Sequence, residues 1–153
     1  MRMVIATDLT RASVDAARYA MAQARRAGAD LIVAHVVGSS AIDTAPVAAY
    51  RYQIHEPEPD ARPVVDEYQR EKLAAVKRWF HEAVGDTDGV MVSYEIAFGD
   101  LPEVLRSIVT DAGAESLTVG VRGHDSVGRH LTRILLDAPV PVVVVREGIL
   151  ATD

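Results

Sequence analysis

An aspartate where an apolar run ends, a glycine-rich loop carrying two arginines, and five histidines are the residues of this 153-residue chain that could do chemistry. Asp8 follows the run Met3 to Thr7, as a carboxylate at the end of a buried strand would. There it can accept hydrogen bonds from a base or a ribose hydroxyl, or it can bond the backbone of its own loop, the commoner fate of such an aspartate. The glycine-rich loop reads Gly120-Val121-Arg122-Gly123-His124-Asp125-Ser126-Val127-Gly128-Arg129-His130. Its glycines would let backbone N–H groups approach an anion at a helix start, and Arg122 and Arg129 would add charge-assisted contacts. A tight connection that serves no ligand accounts for the same glycines. His35, His55, His81, His124 and His130 show no helical pairing of the metalloprotease kind, so no metal site is assigned; His35, inside an apolar run, reads as a packed core histidine. The chain contains neither a Gly-x-Ser-x-Gly elbow nor a Gly-x-x-x-x-Gly-Lys-Ser/Thr loop.

The elements that must position these residues alternate. After the first strand, Val14, Ala17, Met21 and Ala24 recur at helical spacing on a segment from Arg11 to about Ala27, with Thr10 as the expected N-cap and Gly28 as the residue past its end. Leu31 to Val37 does not alternate, which predicts a strand covered on both faces. Residues 38–63, with Pro46, Pro57, Pro59 and Pro63, read as a long loop or insertion. Helical spacing returns at Val65, Tyr68, Val76, Trp79, Phe80 and Ala83, where Trp79 and Phe80 read as core or interface. Val90 to Ala97 alternates as a third strand. Asp100-Leu101-Pro102-Glu103 announces a helix to about Ala112. Ser116 to Val119 is a fourth strand, a short helix runs through Leu136, and Val140 to Arg146 is a fifth strand.

Five strands alternating with helices predict an α/β domain: an open, doubly wound, Rossmann-like parallel sheet with helices on both faces. In such sheets ligands bind beyond the carboxyl ends of the strands, where strand order reverses. If the first and fourth strands flank that point, Asp8 and Gly120 become neighbours. The valine-rich last strand at a sheet edge would be an aggregation hazard, and pairing with a second copy across a two-fold axis would cover it.

Composition narrows the classes further. The length suits one domain, residues 1–153, and 22 acidic against 16 basic residues give a net charge of −6, which argues against a nucleic-acid partner. The longest stretch without Asp, Glu, Lys or Arg runs only from Leu31 to Ile42, too short for a membrane helix. Asp8 interrupts the opening apolar residues too soon for a secretory leader. Without cysteine there is no disulfide framework, thiolate metal site or cysteine nucleophile. A cytoplasmic protein is expected.

The segments Val4-Ile5-Ala6-Thr7-Asp8, Gly28-Ala29-Asp30-Leu31-Ile32-Val33-Ala34-His35-Val36, Phe98-Gly99-Asp100-Leu101-Pro102, Val119-Gly120-Val121-Arg122-Gly123 and Ala138-Pro139-Val140-Pro141-Val142-Val143-Val144-Val145-Arg146, in that order, resemble the universal stress protein family across nearly the whole chain. The resemblance implies a sheet of order 3-2-1-4-5 and homodimers joined through the last strand, at Val142, Val143, Val144 and Val145. In one subclass it implies ATP or another adenine nucleotide at the switch point. By position, Ala6, Thr7 and Asp8 would meet adenine and ribose, Val36 would contact adenine through its backbone, and Gly120 and Gly123 would approach ribose and phosphates. Val119, Arg122, Gly128, Arg129 and His130 complete the expected site.

The nucleotide-binding subclass has a longer spacer between its second glycine and a Gly-Ser or Gly-Thr pair. Here only His124 to Val127 intervene before Gly128, and Arg129 stands where the hydroxyl residue belongs. A shortened loop cannot wrap a triphosphate in the same way, so Arg129 and His130 would compensate with charge or the site would take a smaller ligand. The leading expectation is a small stress-response binding or regulatory module. The alternatives are a slow nucleotide hydrolase, with His124, Asp125 or His130 near the phosphates, and a ligand-free dimer acting through protein partners.

Overall fold

The computed structural model describes residues 1–38, 62–122 and 129–148, with backbone alone at 62–65, 129 and 130. Five strands, β1 (Arg2–Ala6), β2 (Asp30–Val37), β3 (Val92–Phe98), β4 (Leu117–Val121) and β5 (Val142–Arg146), form one parallel sheet in the order β3-β2-β1-β4-β5. The connecting helices are α1 (Ala12–Ala27), α2 (Arg62–Val84), α3 (Leu101–Ala112) and α4 (Arg129–Asp137). This is the doubly wound arrangement the alternation predicts, with the order reversal between β1 and β4. The expected loop at 38–63 falls largely outside the described residues, and α2 begins at its C-terminal end.

Side chains alternate across the strands, and the two sets lie in separate cores. Ile5, Leu31 and Val33 point to the face covered by α1 and α2, where Ala17, Met21, Ala24, Val76 and Phe80 are fully or almost fully buried. Trp79 packs at the margin of this core, beside Phe80. Val4, Ala34, Leu117 and Val119 point to the opposite face, against Leu105, Ile108 and Val109 of α3 and Ile134 of α4.

Local chemistry fixes the helix ends. Asp100 is the N-cap of α3, its carboxylate accepting from the Glu103 N–H, and Arg133 of α4 reaches the same carboxylate with two nitrogens at 3.1 and 3.0 Å. Gly28 closes α1 with φ 63°, a conformation that favours glycine. The start of α1 differs from expectation: Arg11 occupies the N-cap position without a side-chain bond, because the Thr10 hydroxyl is spent on Asp8. At the same carboxyl end of the sheet, beside the edge strand, the buried Asp15 of α1 accepts the N–H of Gly148, just past β5, at 2.7 Å.

Candidate functional site

β1 ends at Ala6 because the next residues turn away from the sheet. The turn is built on one oxygen: Asp8 Oδ1 accepts from the Thr10 N–H at 2.9 Å, from the Thr10 hydroxyl, and from the Ser13 hydroxyl at 2.8 Å. The Leu9 N–H donates to Thr7 Oγ1 at 2.9 Å, and Leu9 takes φ 64°, a left-handed conformation costly for a side chain of its size. Burial pushes the Asp8 carboxyl up, but the hydrogen bonds from Thr10 and Ser13 outweigh it and hold the group below its ordinary value. A carboxylate therefore stands at this rim at neutral pH.

β2 continues past the end of β1, and that mismatch leaves a rung of the ladder open. Thr7 still donates its N–H to the Ala34 carbonyl at 2.9 Å. In a parallel ladder the Thr7 carbonyl would next accept from the Val36 N–H. Instead it is met by Nδ1 of His35 at 2.8 Å, and since a carbonyl only accepts, Nδ1 carries the proton. The β1–β2 register accordingly stops at Ala6 and Ala34. Backbone groups alternate along β2: Leu31 bonds toward β3 and Ala34 toward β1, so Val36 presents its N–H and C=O on the side β1 has vacated. Among the described residues the Val36 N–H has no acceptor.

That vacated side is a cleft of about 230 Å³. Its floor is Ala6, Ala34, Val36 and Val119, where the register partners Ala6 and Ala34 create the hollow by being small. Leu101 and Leu105 of α3 and Leu131 and Ile134 of α4 form the apolar wall; Thr7, Asp8, Ser13, Gly120 and Val121 form the rim. The volume is below the ~300–1,000 Å³ of pockets that enclose a whole drug-sized ligand, so this cleft has room for only one part of such a ligand, the rest lying at the rim. Asp8 is the one charged group among the described lining residues. The depth suits a flat neutral group, and the rim suits hydroxyls that donate to a carboxylate.

Gly120 sits at the rim for a second reason. A Cβ there would lie 2.6 Å from the Ala12 carbonyl oxygen and 3.0 Å from the Ser13 Cα, so only glycine lets the first turn of α1 press against β4. That close approach sets Ser13 beside Asp8.

A family model described as the Universal stress protein family matches residues 1–146. The chain belongs to the universal stress protein family. No curated protein matches the sequence significantly. Among solved structures, a universal stress protein in complex with cAMP superposes with a TM-score of 0.63 at 16% identity, over 97% of this chain and 98% of that one. A family protein from Burkholderia pseudomallei gives 0.60 at 19% identity, covering 94% of each chain. The universal stress protein from Archaeoglobus fulgidus in complex with dAMP gives 0.55 at 15% identity, over 94% of this chain and 96% of that one. At such identities the likeness is one of fold.

Within this universal stress protein, the residues expected to form a site distribute unevenly. Ala6, Thr7, Asp8, Val36, Val119 and Gly120 line the one cleft, brought together from β1, β2 and β4. Arg122 is exposed and does not line it. Gly123 and Gly128, with His124 and Asp125, lie outside the described residues, and Arg129 and His130 are described only as the first backbone turn of α4. Sequence reasoning missed Ser13, Ala34, Leu101, Leu105, Val121, Leu131 and Ile134. The leucines carried a signal, the four-residue spacing of Leu101 and Leu105, but that spacing also describes ordinary core packing.

Proposed function

We propose that this universal stress protein is a cytoplasmic, homodimeric binding or regulatory module whose cleft takes an adenine nucleotide with a short phosphate group. The observation that carries the reading is the open rung. Among the described residues the Val36 N–H and C=O have no partner; they face the hollow beside β2, and a carboxylate stands at its rim. A purine edge offers an acceptor and a donor to such a pair, and ribose hydroxyls donate to Asp8. The apolar walls cover the faces of the base. The cAMP and dAMP complexes of two family members support a monophosphate as the ligand. The described lining contributes no cation to a longer phosphate chain, and the shortened loop between Gly123 and Gly128 agrees with that.

The homodimer rests on β5, an edge strand. The Pro141 carbonyl and the Glu147 N–H bond to β4, so by alternation the backbone groups of Val142, Val144 and Arg146 point outward, where a second β5 can pair with them.

Mass spectrometry of small molecules carried through purification identifies the ligand. Thermal shift with AMP, cAMP, dAMP and ATP then ranks the candidates: the monophosphates raise the melting temperature, and ATP raises it no further than AMP does. A protein purified without any nucleotide, whose melting temperature none of the four raises, would refute the reading.

A further inference from the structure

Every residue at the open rung has an evident task except His35. It is 8% exposed, lies on the α1–α2 side of the sheet, away from the cleft, and its side chain crosses to the Thr7 carbonyl of the neighbouring strand at 2.8 Å. A buried histidine costs desolvation and packs less well than the valines around it, so core filling alone gives no reason for it. Its hydrogen bond does. A Thr7 carbonyl without a donor would take the Val36 N–H, because closing that rung pairs two backbone groups at once. With Nδ1–H already on Thr7, the Val36 N–H stays free.

We infer that His35 is a positioning residue: its Nδ1–H replaces the missing ladder donor to Thr7, holding open the rung through which Val36 receives a ligand. The role depends on the nucleotide reading of the cleft, which it deepens. His35 touches no ligand itself; it works through the backbone of Thr7 and Val36. The charges that act on His35 are Lys72 of α2 and Asp8. Neither supplies a donor to the Thr7 carbonyl.

Two variants separate this role from simple packing. His35→Asn keeps an N–H near the position of Nδ1, whereas His35→Leu removes it. Calorimetric titration with AMP and cAMP is expected to show His35→Leu weaker than the parent by roughly fivefold or more, the effect of one hydrogen bond, and His35→Asn within about twofold of the parent. Hydrogen exchange of the Val36 amide reads the rung directly. In the free parent and in His35→Asn it should be unprotected; in free His35→Leu it should be protected, because the ladder has closed. A Val36 amide already protected in the free parent, equal affinities for the parent and His35→Leu, or equal weakening of both variants would overturn the inference. Should the parent bind no adenine nucleotide, the cleft reading fails by itself, and the amide of the three unliganded proteins still decides the role of His35.

Discussion

At the scale of single residues, the cleft depends on what is small and what is charged. Replacing Ala6 with Leu fills the hollow from its floor. Nucleotide affinity should fall at least tenfold with the fold retained, a split that calorimetry and circular dichroism measure together. Asp8→Ala removes the proposed acceptor for ribose and also the oxygen that gathers Thr10 and Ser13, so affinity should fall and the melting temperature drop with it. Gly120→Ala acts differently: its methyl would collide with the Ala12 carbonyl, a backbone atom that cannot swing aside, and the cost should be about 1–3 kcal/mol in a denaturant titration. His35 supplies a pH dependence. Burial holds its native pKa below the ordinary 6.5; the Thr7 carbonyl and Asp8 partly oppose this, and Lys72 adds to it. The unfolded chain takes up its proton first as the pH falls, so stability present above pH 6.5 is lost as the pH drops through the native pKa. The melting temperature should therefore decline between pH 7.5 and 5.5 more steeply in the parent than in His35→Asn.

Elements show how far the sequence could be read. The caps at Asp100 and Gly28, and the unalternating run of β2, were legible because each reports a local rule: an acid three residues before Glu103, a glycine past the last helical residue, a strand covered twice. Thr10 was misread because a hydroxyl before a helix suits both a cap and a turn, and the three-way demand of Asp8 decided between them only in three dimensions. Gly120 was ambiguous for the same kind of reason. Read as the start of a loop, it lies in β4, and its meaning lies in the approach of α1, which no spacing within its own segment encodes. The open rung was hidden altogether, since it arises from β2 outrunning β1, a relation between two strands. One element-scale prediction concerns the pair joining α3 to α4. Arg133 and Asp100 are both substantially exposed, so Arg133→Ala should cost less than about 1 kcal/mol, whereas Asp100→Ala also uncaps α3 and should cost about 1 kcal/mol more. Thermal melts of the two variants give the comparison.

For the whole molecule, the placement of β5 at the edge determines how association must be tested. Val143 packs on the α1–α2 core and Val145 is buried, so a charge at either position would damage the fold along with any contact between copies. Val144 is 41% exposed and its N–H points away from β4, which makes it the clean site. Val144→Pro should convert a dimer to a monomer in sedimentation velocity with little change in the melting temperature of the monomer. A parent that already sediments as a monomer would remove the homodimer from the proposed function while leaving the cleft untouched.

The bond from Gly148 to Asp15 sets a schedule for how this protein is made. Helix α1 leaves the ribosome well before β4 and β5, against which it packs, and its buried carboxylate waits for a partner 133 residues downstream. Until those final strands emerge, the alanine face of α1 has nothing to cover one flank, and β1 lacks a neighbour on that side. Folding of the nascent chain is therefore completed late, and a ribosome stalled before β5 would hold an α1 whose apolar face is open to chaperones and proteases.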